Sequence, residues 1–260
     1  MTSRLPTFPA DTDPRAFLIY EDAHLLAFDK PSGLSVQGGG GVEANLDDLL
    51  VAFARSNGKR PRLAHRLDRE TSGVILAGRT HPALTFLNRA FSERRTVKRY
   101  LAIVCGGAPD PAVDSIDSPL VRTKVRGVDV VRAARAGEEG AQSASTSYRT
   151  LAAAPDAALL EASPLTGRMH QIRAHLAQRG RPLAGDGKYG GLFAIGAVAT
   201  PHLLLHALTL EVPHPDGGCL HLSAAPPPSF RAAAEALGLE AGMPHIHSGG
   251  ERRIRDGGSP

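Results

Sequence analysis

At 260 residues the chain is long enough for one large or two small domains with a sizeable core, and 42% hydrophobic with 22% charged residues excludes a largely disordered chain. No apolar run approaches the ~20 residues of a membrane-spanning helix, and Met1 to Thr12 lacks the order of a signal peptide, so a cytoplasmic protein is expected. The net charge of +4 is mild, but 25 of the thirty basic residues are arginine, whose planar fork suits phosphates and bases; a codon bias gives the same ratio.

Residues 1–16, with Pro6, Pro9 and Pro14, read as an irregular arm. Phe17 to Tyr20 and Leu25 to Phe28 are strand-like runs, followed by turn chemistry at Lys30-Pro31-Ser32-Gly33 and a glycine run from Gly38 to Gly41. Asn45 or Asp47 is placed to cap a helix reaching Phe53-Ala54. Strands are expected at Ala64 to Asp68 and Val74 to Ala77, then a helix from about Pro82 to Ser92, where Leu84, Leu87 and Phe91 share a face. Lys98 to Val104 reads as a strand, 109–140 as short strands and turns, and Thr146 to Leu151 with Ala158 to Ala162 as a strand pair. Thr166-Gly167 opens a helix closed by Gly180 as a left-handed cap; Leu203 to Leu205 and Leu208 to Val212 are strands, and Phe230 to Leu237 a last helix. The Gly-, His- and Arg-rich segment 238–260 is expected to be disordered. This irregular alternation predicts an α+β fold around a mixed, mostly antiparallel central sheet.

Two polar segments stand between apolar runs. In His65-Arg66-Leu67-Asp68-Arg69-Glu70-Thr71-Ser72-Gly73, an extended chain puts Arg66 and Asp68 on one face, as an ordinary ion pair or as a site. In Thr166 to His175, two histidines five apart with no Glu between them do not make a zinc motif, and Arg173 is free to point at an acidic partner, with Asp68 the candidate. Cys105 and Cys219 read as reduced, buried thiols, and no metal is expected. The run Arg89, Arg94, Arg95, Lys98, Arg99, broken only by Glu93, reads as a solvated face more readily than as a binding track.

His65 to Gly73 resembles the signature of the RluA-type pseudouridine synthases, and further segments agree in order. They are Lys30 to Gly33, Lys98 to Ala102, Thr166 to His175 with Gly185 to Gly190, and the closing strands at Leu205-His206-Ala207 and His214-Pro215. The resemblance spans about Phe17 to Pro228 and implies one catalytic domain over 17–237, which isomerises uridine in RNA to its carbon-linked isomer without metal or organic cofactor. By motif position Asp68 is the nucleophile, attacking ribose or base; Arg173 pairs with it, and Tyr100 takes the proton from carbon 5. Arg66 fills the gap left by the extruded base, and Arg94, Arg95, Lys98, Arg168 and His170 are further RNA contacts. The partner is RNA, with ribosomal large-subunit RNA favoured over transfer RNA, and a monomer is expected.

Met169 departs from the family pattern, where Thr or Ser is common, and sixteen residues before Phe17 are too few for the N-terminal RNA-binding domain of many relatives. Two readings compete with the enzyme. A catalytically inactive RNA-binding protein on the same fold would have no reason to keep Asp68, Tyr100 and Arg173 together. A hydrolase or metalloenzyme built on the eleven histidines is disfavoured because most of them border apolar strands or lie in the tail.

Overall fold

In the computed structural model, which describes residues 6–38 and 44–253, the chain forms β1 (Leu18–Glu21), β2 (Leu25–Lys30), α1 (Leu46–Leu49), β3 (Arg62–Leu63), β4 (Ser72–Gly78) and α2 (His81–Ser92). Next come β5 (Val97–Cys105), β6 (Val113–Asp117), β7 (Leu120–Val125), β8 (Val128–Ala133), β9 (Ser145–Ala153), β10 (Ala157–Pro164) and α3 (Gln171–Gln178). The short β11 (Ala194–Ile195) and β12 (Val198–Ala199) precede β13 (Leu205–Pro213), β14 (Cys219–Ser223), α4 (Pro228–Ala236) and β15 (Gly249–Arg253). The fold is α+β, as the pattern predicts. Most of the glycine run at Gly38–Gly41 lies outside the described residues.

The described chain divides into two compact units. One comprises Arg99–His206 and Pro226–His245; its strands run β5-β10-β9-β6, every pair antiparallel. Ala102, Val104, Ala158, Leu160 and Ala162 project from β5 and β10 to meet Ile172 and Leu176 of α3 in one apolar cluster. Alternation along the strands and 3- and 4-residue steps along the helix build that core. The antiparallel β7–β8 hairpin carries Arg122, Lys124, Arg126 and Arg132 of the 109–140 stretch, and Arg135 follows just after it. The helix α3 starts later than expected, at Gln171, because the Gln171 side chain turns back to accept from Thr166 Oγ1 and from the Arg168 N–H, which fixes 166–170 as a turn. Its end is as expected: Gly180 has φ +69, its N–H bonds Ala177 O, and Arg181 N–H bonds Leu176 O.

The other unit comprises residues 6–98, 207–225 and 246–253, with strand order β1-β2-β4-β13 and β14 then β15 beyond β13. Leu25, Ala27, Val74 and Leu76 pack against Ala83, Leu87 and Ala90 of α2 and against Leu210 and Leu220. Asn45 caps α1 through Asp48 N–H, and Thr80 caps α2 through Ala83 N–H.

The expected disorder of 238–260 does not hold through residue 253. Strand β15 pairs with β14 from Gly249 opposite Ser223 to Arg253 opposite Cys219, and Ser248 Oγ donates to Asp29 at 3.2 Å. Backbone ladder bonds need no apolar side chains, so composition gave no sign of them. Residues 254–260 lie outside the described chain.

Candidate active site

Asp68 is not on a strand. The extended segment expected at 64–68 is reduced to β3, Arg62–Leu63, and residues 65–68 are irregular. A side chain takes the place of the ladder: Leu76 N–H of β4 donates to His65 Nε2 at 3.0 Å, and the imidazole lies 4.9 Å from the Phe91 ring. Burial, with the nearby charge of Lys98, pushes the His65 pKa down to about 3. The ring therefore stays neutral at physiological pH and keeps its acceptor nitrogen. Leu67 is buried, and Thr71 N–H closes a turn on Asp68 O at 3.1 Å, leaving the Asp68 side chain half-buried.

A second clasp comes from the Lys30 turn. Lys30 is fully buried, and its three ammonium protons meet three carbonyls: Pro31 O at 2.9 Å, Leu34 O at 2.9 Å and Arg69 O at 3.1 Å. Gly33 N–H donates to Arg69 O, Arg69 Nε donates to Gly33 O, and Ser32 Oγ donates to Glu70 O at 2.7 Å. Burial pushes the Lys30 pKa from 10.5 down to about 7, and the carboxylates of Asp68 and then Asp29 push back. The residues just after Asp68 are thus held by main-chain bonds on one side and the His65 imidazole holds those before it on the other. Sequence reading saw turn chemistry at Lys30 but missed the tether; a lysine ending the apolar run Leu25–Phe28 was the available sign.

In the other unit, Tyr100 stands in β5 opposite Ala162 of β10, half-buried, its ring packed against the cluster of Ala102 and Val104. Arg173 is 2% exposed and Asp186 is fully buried. Arg173 Nε and Nη2 donate to Asp186 Oδ2 and Oδ1, each at 2.7 Å, a bidentate pair. Lys188 N–H adds a bond to Asp186 Oδ1 at 3.0 Å, and the guanidinium carbon sits 5.2 Å from the Tyr189 ring centre. Asp186 is a partner of Arg173 that sequence reading did not assign, although the Gly185-Asp186-Gly187 block marks it. Asp68 and Arg173 belong to different units.

The expected RNA contacts differ in how engaged they are. Arg66 and Arg94 are exposed and make no side-chain hydrogen bond or ion pair among the described residues. Arg95 and Arg89 both bind Glu93, at 2.8 and 2.6 Å. Lys98 is half-buried, which pulls its pKa to about 8. Arg168 Nε donates to Ser143 O, and His170, with φ +51 at the start of α3, bonds Tyr189 Oη at 2.9 Å. These last two serve the fold whatever else they do. For metal, one group among the described residues has the right composition: Glu211, Cys219 and His221, with ligand atoms within 4.8 Å of one another. Cys219, expected to be buried, is half-buried; across the β14–β15 ladder Arg253 faces Cys219 and Glu251 faces His221, and the two charges pair with each other at 3.2 Å.

The profile of the family described as RNA pseudouridylate synthase matches residues 24–178, a stretch that holds the whole Asp68 loop, Tyr100 and Arg173. The chain belongs to this family. The ribosomal large subunit pseudouridine synthase C of Vibrio vulnificus is 36% identical over 202 residues, 76% of this chain and 61% of the relative. The corresponding C protein of Escherichia coli is 35% identical over 206 residues, 77% and 63%, and the D protein of Nitrosomonas europaea is 36% identical over 224 residues, 83% and 63%. The chain thus spans about three fifths of the length of these relatives. Among solved structures, human RNA pseudouridylate synthase domain containing 4 superposes with TM-score 0.74 at 27% identity, covering 86% of this chain and 94% of that one.

Within this member of the family, Arg94 stands in a strained backbone position. It occupies the left-handed position after α2 (φ +57), with Arg94 N–H on Phe91 O and Arg95 N–H on Ala90 O, where glycine is the usual residue. Arg94→Gly is expected to raise unfolding stability by about 0.5–1 kcal/mol while lowering the salt slope of RNA binding by about 1. Thermal unfolding and salt titrations check the two together; a variant that is stabilised but binds RNA unchanged removes Arg94 from the contacts.

Proposed function

We propose that the chain isomerises uridine to pseudouridine in structured RNA, with residues 17–237 as the catalytic domain. The glycosidic bond from N1 to C1′ breaks, a C5 to C1′ bond forms, and the proton on carbon 5 is replaced by one on N1, so no atom is gained or lost. Asp68 is the nucleophile, Arg173 supplies its positive partner, and Tyr100 removes the carbon 5 proton. Because a base inside a helix hides this bond, the uridine must leave the stack, and Arg66 takes its place. The observation that carries the reading is Asp68 itself: in a family member, an aspartate set on a loop fastened by Lys30 and His65 is what a repeatedly used nucleophile needs. Large-subunit ribosomal RNA is the favoured substrate, given the names of the relatives, with transfer RNA the second. In this reading the protein is a cytoplasmic monomer that needs no metal or organic cofactor.

The test is release of tritium from uridine labelled at carbon 5, on transcripts of large-subunit ribosomal RNA and of transfer RNA, in the presence of chelator. RNA that is bound without release would favour the inactive binding protein instead. Tyr100→Phe separates packing from proton transfer: the ring stays, the hydroxyl goes, and single-turnover product formation is expected to fall at least about 100-fold. A Phe variant running at the normal rate would end the assignment of Tyr100 as base and leave Asp68 untouched.

A further inference from the structure

A cleft of about 470 Å³ lies in the unit that carries Asp68, at the far end of β4. Its rim is a tight turn in which Gly58 N–H bonds Arg55 O at 2.8 Å and Arg55 N–H bonds Lys59 O at 3.0 Å, so Arg55 and Lys59 stand together. Its floor is where Gly78 of β4 meets the start of α2: a Cβ at Gly78 would come within 2.7 Å of Leu84 N, so only glycine lets strand and helix approach there. Arg62 is the register partner of Gly78 and completes the wall.

Charge makes the cleft unusual. Its lining includes no acidic residue. Arg60 is neutralised from outside by Asp47 and Asp48, and Arg79 by Glu21. Arg55, Lys59 and Arg62 are exposed and make no side-chain hydrogen bond or ion pair among the described residues. Three uncompensated cations on one concave wall repel each other unless an anion sits among them. The positive end of α2, capped by Thr80, adds to the same field. The lining has no Phe, Tyr or Trp on which a base could stack, so the surface suits phosphates and not bases.

Distance decides which phosphates. The Asp68 turn ends beside Ser72, at the start of β4, and the cleft lies at Gly78; six strand steps span ~20 Å. That is roughly six stacked nucleotides at ~3.4 Å each. We propose that the cleft formed by Arg55, Lys59 and Arg62 is a second RNA-backbone site, which grips the stem about half a dozen nucleotides from the uridine at Asp68. This rests on the reading of RNA as substrate. It also makes affinity depend on stem length and not on stem sequence.

The test compares a minimal stem-loop carrying the target uridine with the same stem lengthened by ten base pairs. The triple variant Arg55→Ala, Lys59→Ala, Arg62→Ala is expected to lose about 30-fold or more in affinity for the long stem at low salt, with its salt slope lower by about 2–3. Affinity for the minimal stem-loop, and single-turnover rate at saturating RNA, should stay within about twofold. The variant Arg55→Lys with Arg62→Lys, which keeps the charge, should bind the long stem as the parent does. If the triple variant loses equally on both stems, or on neither, the second site is wrong. A mononucleotide that abolishes the long stem's advantage at micromolar concentration makes this a small-anion site and overturns the RNA assignment. If no uridine is modified yet the long stem still senses the triple variant, the cleft stands and the catalytic reading fails.

Discussion

Asp68→Asn is expected to slow pseudouridine formation by at least about 10⁴-fold, because an amide keeps the shape of the side chain but cannot act as nucleophile. The structure makes this a clean experiment. The loop is anchored by hydrogen bonds from Lys30 to the carbonyls of Pro31, Leu34 and Arg69 and from Leu76 N–H to His65, none of which ends on the Asp68 carboxylate, although the charge of that carboxylate helps keep Lys30 protonated. The variant should therefore fold normally, unfold within about 1 kcal/mol of the parent, and bind RNA within about threefold. Turnover above background in a pure preparation would take the nucleophile's role away from Asp68.

Arg173→Ala is expected to cost about 3–5 kcal/mol of stability, because it strands the fully buried carboxylate of Asp186 without its bidentate partner. Lysine should not rescue it, since a point charge cannot reproduce two parallel bonds. The double variant Arg173→Met, Asp186→Leu removes both charges and should be more stable than Arg173→Ala alone, while remaining inactive. That split separates the structural task of Arg173, holding Asp186, from the proposed one of serving the nucleophile. A double variant that regains stability and also turns over uridine would show that Arg173 only holds Asp186. Chemical denaturation and single-turnover rates measure the two quantities separately.

The elements that local chemistry decides were legible. The helix α2 follows from apolar steps and ends within a residue of the expectation, and Gly180 closes α3 because a left-handed cap favours a residue without Cβ. The β9–β10 pair follows from alternation. What escaped were bonds in which one partner lies far away in sequence. The segment 64–68 has strand composition, yet the His65 imidazole takes the Leu76 N–H that a ladder would have used. Lys30 finds Arg69 O across 39 positions, and Arg173 finds Asp186. No periodicity reports such encounters. The site was read from motif order, its support from the structure alone.

The pairing of β15 with β14 has a consequence for the protein's birth. The β13–β14 hairpin is complete once residue 223 is made, whereas its cover begins at residue 249 and ends at 253. At ~5–20 residues per second, roughly one to six seconds of translation separate the two events. Throughout that interval the outer edge of β14 offers unpaired N–H and C=O groups to any neighbouring nascent chain, including others on the same message. The Gly-Gly-Glu-Arg-Arg strand that closes it puts charge on the new edge, so a segment made well after the hairpin is what removes the β14 edge from edge-to-edge association.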